Sequence, residues 1–304
     1  MEQRAYYEPT ANGVERLPTE LQMFHASPLM MRHAHWHAQV EVNYVVQGWA
    51  NYDMSGHDVR FRKGDLALFW GGRPHQLNGA SEDLIYAGGH LPLVHFFRLR
   101  LPQDVQAKLM QGAILVTSAT DASDALNFER WNAYARSGDP MKAGMAVDEL
   151  LLRIERIRFD TYALLPDTHT AVDSAGLDHH ASPIVVRICD FIANNFREEI
   201  DSSDIASAAA IHPKYAMSVF KKSTGMTLND YVNLMRLSYA QALLMQDDAN
   251  VLQVAMDSGF GSLSAFNKSF RKIAGMSPSD FRRDVRVRPS VPVAKRLSGD
   301  DRLN

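Results

Sequence analysis

Within this 304-residue chain, His35, His37 and Glu41, followed by His75, are the side chains best suited to chemistry. Imidazole nitrogens and a carboxylate oxygen are good ligands for a divalent transition metal. The same groups, with Asn43, can instead hydrogen-bond the hydroxyls of a small effector, with Trp36, Trp49 or Trp70 as a stacking plate. Side chains alternate along a strand, so His35, His37, Gln39, Glu41 and Asn43 are expected on one face. Trp36, Val40, Val42, Tyr44 and Val46 then share the other. A third reading turns the polar stripe to solvent, and the residues alone leave all three open.

A second set of functional side chains is cationic. Residues 213–222 hold Lys214, Lys221 and Lys222, residues 262–273 hold Lys268, Arg271 and Lys272, and neither segment has an acid. Bulk charge gives no hint of a polyanionic partner. The chain carries a formal net charge of -3, and residues 183–286 contain twelve Lys and Arg against eleven Asp and Glu. Clustering is the informative feature, because a nucleic-acid footprint is local.

The cationic segments read as helices. Gly259 supplies the left-handed residue of a sharp turn, Ser262 caps the next helix, and Leu263, Phe266 and Phe270 make an apolar stripe. Gly275 ends that helix and Pro278 starts another. About fifty residues earlier the pattern recurs. Phe220-Lys221-Lys222, Gly225-Met226-Thr227 and Asp230-Tyr231 match Phe270-Arg271-Lys272, Gly275-Met276-Ser277 and Asp280-Phe281, and Ala210-Ile211 matches Gly259-Phe260 with a one-residue slip. Leu228 to Gln246 reads as a spacer helix of roughly 28 Å. Successive major grooves on one face of a duplex lie about 34 Å apart, so the two units suit adjacent grooves.

These residues, with Arg236, Ala240 and Leu243-Leu244, resemble the AraC family of bacterial transcription regulators over the last third of the chain. The resemblance implies double-stranded DNA and RNA polymerase as partners, a homodimer, and no catalysis. It places Lys214, Met217 and Ser218, and then Leu263, Ser264, Asn267 and Lys268, at base-contacting positions. Asn267 suits adenine, and Lys268 or Lys214 suits guanine. Lys221, Lys222, Arg271 and Lys272 are assigned to phosphates, which position the protein without specifying sequence.

Upstream, strand signals run from His33 to about Leu99. They include Val40–Val46, Trp49–Met54, Val59–Arg62 and Leu66–Trp70, with turns at Ser55-Gly56 and Gly64-Asp65. Short, regularly spaced strands predict a small antiparallel barrel. The spacing His35, His37, Glu41, Gly48 matches the first motif of the cupin family, and Gly64, Gly72 and His75 match part of its second. Trp70 replaces the usual proline and Asn78 falls one position early. The expected fold is α+β, with an N-terminal cupin-like β-barrel, accessory helices at Asp121–Arg136 and Met141–Phe159, and a C-terminal all-α domain with two helix-turn-helix motifs.

The expected organisation is an effector-binding and dimerisation domain over 1–165, a linker over 166–183, a DNA-binding domain over 184–286, and a flexible tail over 287–304. His35 to Asn43, Leu68 to Trp70 and Pro74 to Leu77 extend the family resemblance, which implies a glycoside effector at His35, His37, Glu41, Asn43, Trp70 and His75. A divalent transition metal held by His35, His37, Glu41 and His75 is the competing cofactor. The alternatives are a metal-dependent cupin enzyme carrying a DNA-binding appendage and a regulator whose barrel only dimerises. The single cysteine, Cys189, lies in an apolar helical pattern and reads as a buried thiol. Without a signal segment or a long apolar run, the chain reads as cytoplasmic and soluble.

Overall fold

The computed structural model describes residues 6–7, 21–27, 30–31, 34–35, 37, 39–54, 57–73, 75–118, 123–165, 183–224, 226–246 and 250–286. Strands come first: β1 (Tyr6–Tyr7), β2 (Gln22–Ala26), β3 (Met30–Met31), β4 (Val40–Gln47), β5 (Trp49–Met54), β6 (Asp58–Arg62), β7 (Asp65–Trp70), β8 (His75–Ala80) and β9 (Ile85–Leu91). Helices α1 (Leu93–Phe96) and α2 (Gln103–Met110) lead to β10 (Ile114–Ser118). Helix α3 (Asp124–Ala135), helix α4 (Pro140–Arg156) with a 3-10 turn at Ile157–Phe159, and β11 (Tyr162–Leu165) follow.

Among the described residues the expected barrel does not form. Six strands make an open antiparallel sheet in the order β11-β10-β7-β4-β9-β2, three make a second sheet in the order β6-β5-β8, and β1 pairs with β3 in parallel. Edges remain at β11 and β2 on the larger sheet and at β6 and β8 on the smaller one. The cupin assignment falls with the closed sheet it requires, although the motif spacing is present. Period-two patterning tells which face of a strand is buried. Closure depends on which distant strands pair, and a local pattern does not encode that. Strand β11 is an edge and β10 lies between it and β7, and both fall outside the strand signals read from His33 to about Leu99.

The two faces of the larger sheet have different partners. Val40, Val42 and Tyr44 of β4 join Leu66, Leu68 and Trp70 of β7 in a core shared with Phe128 of α3 and Leu150 and Ile154 of α4. Tyr44 stacks on Phe128 at 5.3 Å between ring centroids, which seats α3 on the sheet. Val45, Ala67, Phe69 and Tyr86 face the smaller sheet and pack on Tyr52, Phe61 and Leu77. Each such buried side chain contributes about 1.5–3 kcal/mol. Glu41 and Asn43 alternate with Val45, so they too lie toward the smaller sheet.

The remaining elements are helical: α5 (Pro183–Asn195), α6 (Ser202–Ala208), α7 (Pro213–Thr224), α8 (Leu228–Leu244), α9 (Val251–Asp257), α10 (Leu263–Ala274) and α11 (Pro278–Arg286). Phe220 of α7 packs edge-on against Tyr231 of α8, and Phe266 and Phe270 of α10 pack with Phe260 and Phe281. Both anchoring phenylalanines, Phe220 and Phe270, are fully buried. The spacer α8 ends at Leu244, two residues short of the sequence expectation, and its 17 residues span roughly 26 Å. Cys189 is buried in α5, and burial raises its thiol to about 12. Residues 166–182 of the expected linker and the expected tail over 287–304 lie outside the described residues. Among the described residues no helix is long and apolar enough to cross a membrane.

Candidate functional site

Four of the side chains singled out in the sequence converge. Ligand atoms of His35, His37, Glu41 and His75 all lie within 4.8 Å of one another. Glu41 is supplied by β4 and His75 by the start of β8, while His35 is held by a backbone bridge to His75. Glu41 Oε1 lies 2.9 Å from both His37 Nε2 and His75 Nε2, and Asn43 Nδ2 donates to Oε2 at 2.8 Å. Glycine makes the fit possible, because a Cβ on Gly71 would sit 2.2 Å from a carbon of the His37 ring.

Strand pairing adds a residue that sequence reasoning missed. His90 of β9 lies opposite Glu41 in the register, with Nε2 3.8 Å from Oε1 and its ring 4.5 Å from that of His37. Only the pairing of β4 with β9 identifies it, since it lies outside both motifs.

Burial sets the charge state. It holds His35 at about 2 and His90 at about 4, both below the ordinary imidazole value. For Glu41, burial alone would push upward, but the charge of His75 and hydrogen bonds from His37 and His75 keep the carboxyl well below its usual range. The result is one carboxylate among imidazoles, a donor set that could hold a late first-row divalent ion. His37 Nδ1 and Asn43 Oδ1 are buried and have no hydrogen-bond partner among the described residues. His75 Nδ1 lies 2.8 Å from the Arg73 carbonyl, a bond that fixes the ring and directs Nε2 at Glu41.

Trp49 and Trp70 do not join this cluster. Trp70 pairs with Val40 on the opposite face of the sheet and is buried in the helix-backed core, which corrects its placement in the effector site. Trp49 sits at the far end of β5 from the residue paired with His75, and its ring carries the Arg60 guanidinium at 4.3 Å. Trp36 lies outside the described residues.

The helical region carries the second site. Helices α7 and α10 have twelve residues each. Ala210 and Gly259 precede them in matched turns, with φ of 54° and 82°, so the repeat read in the sequence is a repeat of backbone conformation. Ser262 caps α10 by accepting from the Ala265 amide, and Gly275 ends it in the left-handed region. Lys214, Met217, Ser218, Lys221 and Lys222 are exposed on α7, as are Leu263, Ser264, Lys268, Arg271 and Lys272 on α10, with Asn267 half-buried. Leu263 thus leaves the expected apolar stripe and faces solvent. Tyr215, 54% exposed among the α7 residues, was not singled out from sequence. Lys272 reaches Asp230 of α8 at 3.7 Å. Gly225 lies outside the described residues.

A family model described as a helix-turn-helix domain matches residues 205–284, which span both units. The melibiose operon regulatory protein of Escherichia coli (strain K12) is 29% identical over 258 residues, covering 84% of this chain and 85% of that one. The Msm operon regulatory protein of Streptococcus mutans is 27% identical over 101 residues, 33% of this chain and 36% of its own. Among solved structures, the DNA-binding domain of AdpA in complex with a target DNA is 27% identical and covers 35% of this chain and 96% of that chain, with a TM-score of 0.33. A regulator from Chromobacterium violaceum described as AraC-type is 23% identical over 36% of this chain and 96% of that chain, with a TM-score of 0.33. The duplicated turn-and-helix units, the matched helix-turn-helix domain and the relative that spans most of the sequence agree: the chain is a DNA-binding transcription regulator of the helix-turn-helix type, similar to the AraC family.

Proposed function

We propose that residues 184–286 read an asymmetric DNA site with α7 and α10 in successive major grooves, under control of a small ligand bound by residues 1–165. The observation that carries the reading is the pair of twelve-residue helices, each with an exposed cationic end, held apart by the 17-residue α8. Lys214, Met217 and Ser218 on α7, and Leu263, Ser264, Asn267 and Lys268 on α10, face the bases. Lys221, Lys222, Arg271 and Lys272 face phosphates. Met217 and Leu263 are apolar and exposed, which suits contact with thymine methyl groups. Selection of bound duplexes from a random pool by the full chain tests this. Two recognised sub-sites one helical turn apart are expected, and a pool without sequence preference sinks the reading.

Two ligand classes compete. The name of the relative spanning most of the chain concerns the melibiose operon, which supports a glycoside effector taken at or beside His35, His37, Glu41, Asn43 and His75. The second reading is favoured by the cluster itself. Four donor residues lie at ion-ligand spacing and neither Trp49 nor Trp70 forms a stacking plate beside them, which suits a divalent transition metal at His35, His37, Glu41 and His75. Bound there, the ion would supply fixed positive charge, with His35, His37, Glu41 and His75 as its ligands and Asn43 orienting the carboxylate. A ligand that binds only the folded state raises apparent stability. Thermal shifts with zinc, nickel and a panel of glycosides separate the classes: an ion-only response favours the metal, a sugar-only response the effector. Met145 and Leu152 of α4 are exposed apolar residues seven positions apart, so they share a helix face, which we assign to a homodimer.

A further inference from the structure

His75 ends one chain of contacts and begins another. Its Nε2 lies 2.9 Å from Glu41, and its Nδ1 lies 2.8 Å from the carbonyl of Arg73. The side chain of the same Arg73 leaves the sheet region and donates through Nε and Nη2 to Asp190 of α5, with Nε to Oδ1 at 2.9 Å. Both partners are buried, and they stand 117 positions apart in sequence. Thus a ligand atom of the cluster and the first helix of the DNA-binding region are tied to one residue, by its backbone on one side and its side chain on the other.

The surroundings hold this residue in place. Gly112 has φ of 95°, and a Cβ there would lie 2.2 Å from the Arg73 guanidinium carbon, so the guanidinium rests directly on that glycine. Next to it, Gln111 donates to Asn194 one turn further along α5, at 2.8 Å. Beyond Asp190, α5 contributes Val185, Ile188, Cys189 and Ile192 to the core that also holds Phe220 of α7 and Tyr231 of α8. A shift of the His75 ring must move the Arg73 carbonyl or break its hydrogen bond. A shift of Arg73 must move Asp190 or break a buried ion pair, which is costly.

We propose that Arg73 is a positioning residue coupling the state of the His–Glu cluster to α5 and α7 through its ion pair with Asp190. This rests on the reading of the cluster as the sensing site and of α7 as a DNA-reading helix. It requires one physical element with two arrangements that both sites bias. The Arg73–Asp190 clamp is that element.

The test is a double-mutant cycle on the full chain, read by hydrogen exchange of backbone amides in α5 and α7. His75→Ala is expected to change their exchange rates by about fivefold in the wild-type background. In an Asp190→Asn background the same substitution is expected to change them by less than about twofold. Gly112→Ala, which displaces the guanidinium and leaves both charges in place, should uncouple in the same way and serves where Asp190→Asn folds poorly. Asp190→Glu should restore the coupling. Additive effects in the cycle overturn the proposal, as does an unchanged rate in α5 and α7 for His75→Ala. Zinc titration and duplex selection with the wild-type chain report separately on the underlying reading. Their failure alongside a non-additive cycle would sink the sensing or DNA-reading role and leave the clamp standing.

Discussion

Arg153 and Asp124 meet through two parallel hydrogen bonds, Nε to Oδ1 at 2.7 Å and Nη2 to Oδ2 at 2.8 Å, with both side chains out of solvent. Arg153 also reaches Asp160 at 3.2 Å, so one guanidinium joins α4 to α3 and to the turn before β11. Removing Asp124 takes the fully buried bidentate partner from Arg153 and leaves Asp160, which is partly exposed. Asp124→Ala is expected to lower unfolding free energy by about 3–5 kcal/mol. A denaturant midpoint within error of wild type would refute this, and a well-packed Leu and Met replacement of both residues should recover most of the loss.

The paired turns offer an asymmetric test. Ala210 adopts a left-handed conformation that costs a non-glycine residue about 1–2 kcal/mol, so Ala210→Gly should stabilise by about 1 kcal/mol. Gly259→Ala should do the reverse, by about 2 kcal/mol or more. A Cβ there would lie 2.7 Å from the carbonyl oxygens of Phe196 and Arg197, as well as imposing the backbone strain. Equal effects of the two substitutions in thermal unfolding would contradict the geometry.

Lysines on the reading helices should divide by role. Lys268→Ala is expected to cost about 1–3 kcal/mol of binding and to relax preference at one base position. Lys221→Ala should weaken binding evenly across sequences and reduce the salt slope by about 1. Binding curves on selected duplexes at several salt concentrations distinguish them, and identical signatures would refute the division.

Acid should loosen the sheet region first. Burial holds His35 at about 2 and His90 at about 4, so the unfolded chain takes up these protons before the folded one does. Stability from these groups is complete above the ordinary imidazole value of about 6.5 and falls as pH drops through that value toward about 4 and then 2. Glu41, also held low, adds a loss below the usual carboxylate range. Tm measured at falling pH without added metal should drop by several degrees between about 7 and 4.5. A flat or rising profile would exclude this account.

Self-association can be read at Leu152, which is 62% exposed on α4. Leu152→Glu is expected to shift sedimentation from dimer to monomer while leaving Tm within a few degrees of its monomeric value. A wild-type chain that sediments as a monomer at micromolar concentration would remove the assignment of that face.

What the sequence by itself determined is everything carried by near neighbours. The cap Ser262, the left-handed Gly275, the buried stripe of Phe266 and Phe270, and the repeat of the two units follow from spacings of a few residues, where backbone sterics and helical period act directly. The convergence of His35, His37 and Glu41 was legible for the same reason. Tertiary structure alone decided that the sheets stay open, that Trp70 turns away from Glu41, that Arg153 is buried, and that His90 and the Arg73–Asp190 clamp belong with the site. Each of these depends on which distant segments pair, and that choice minimises the free energy of the whole chain, not of any local window.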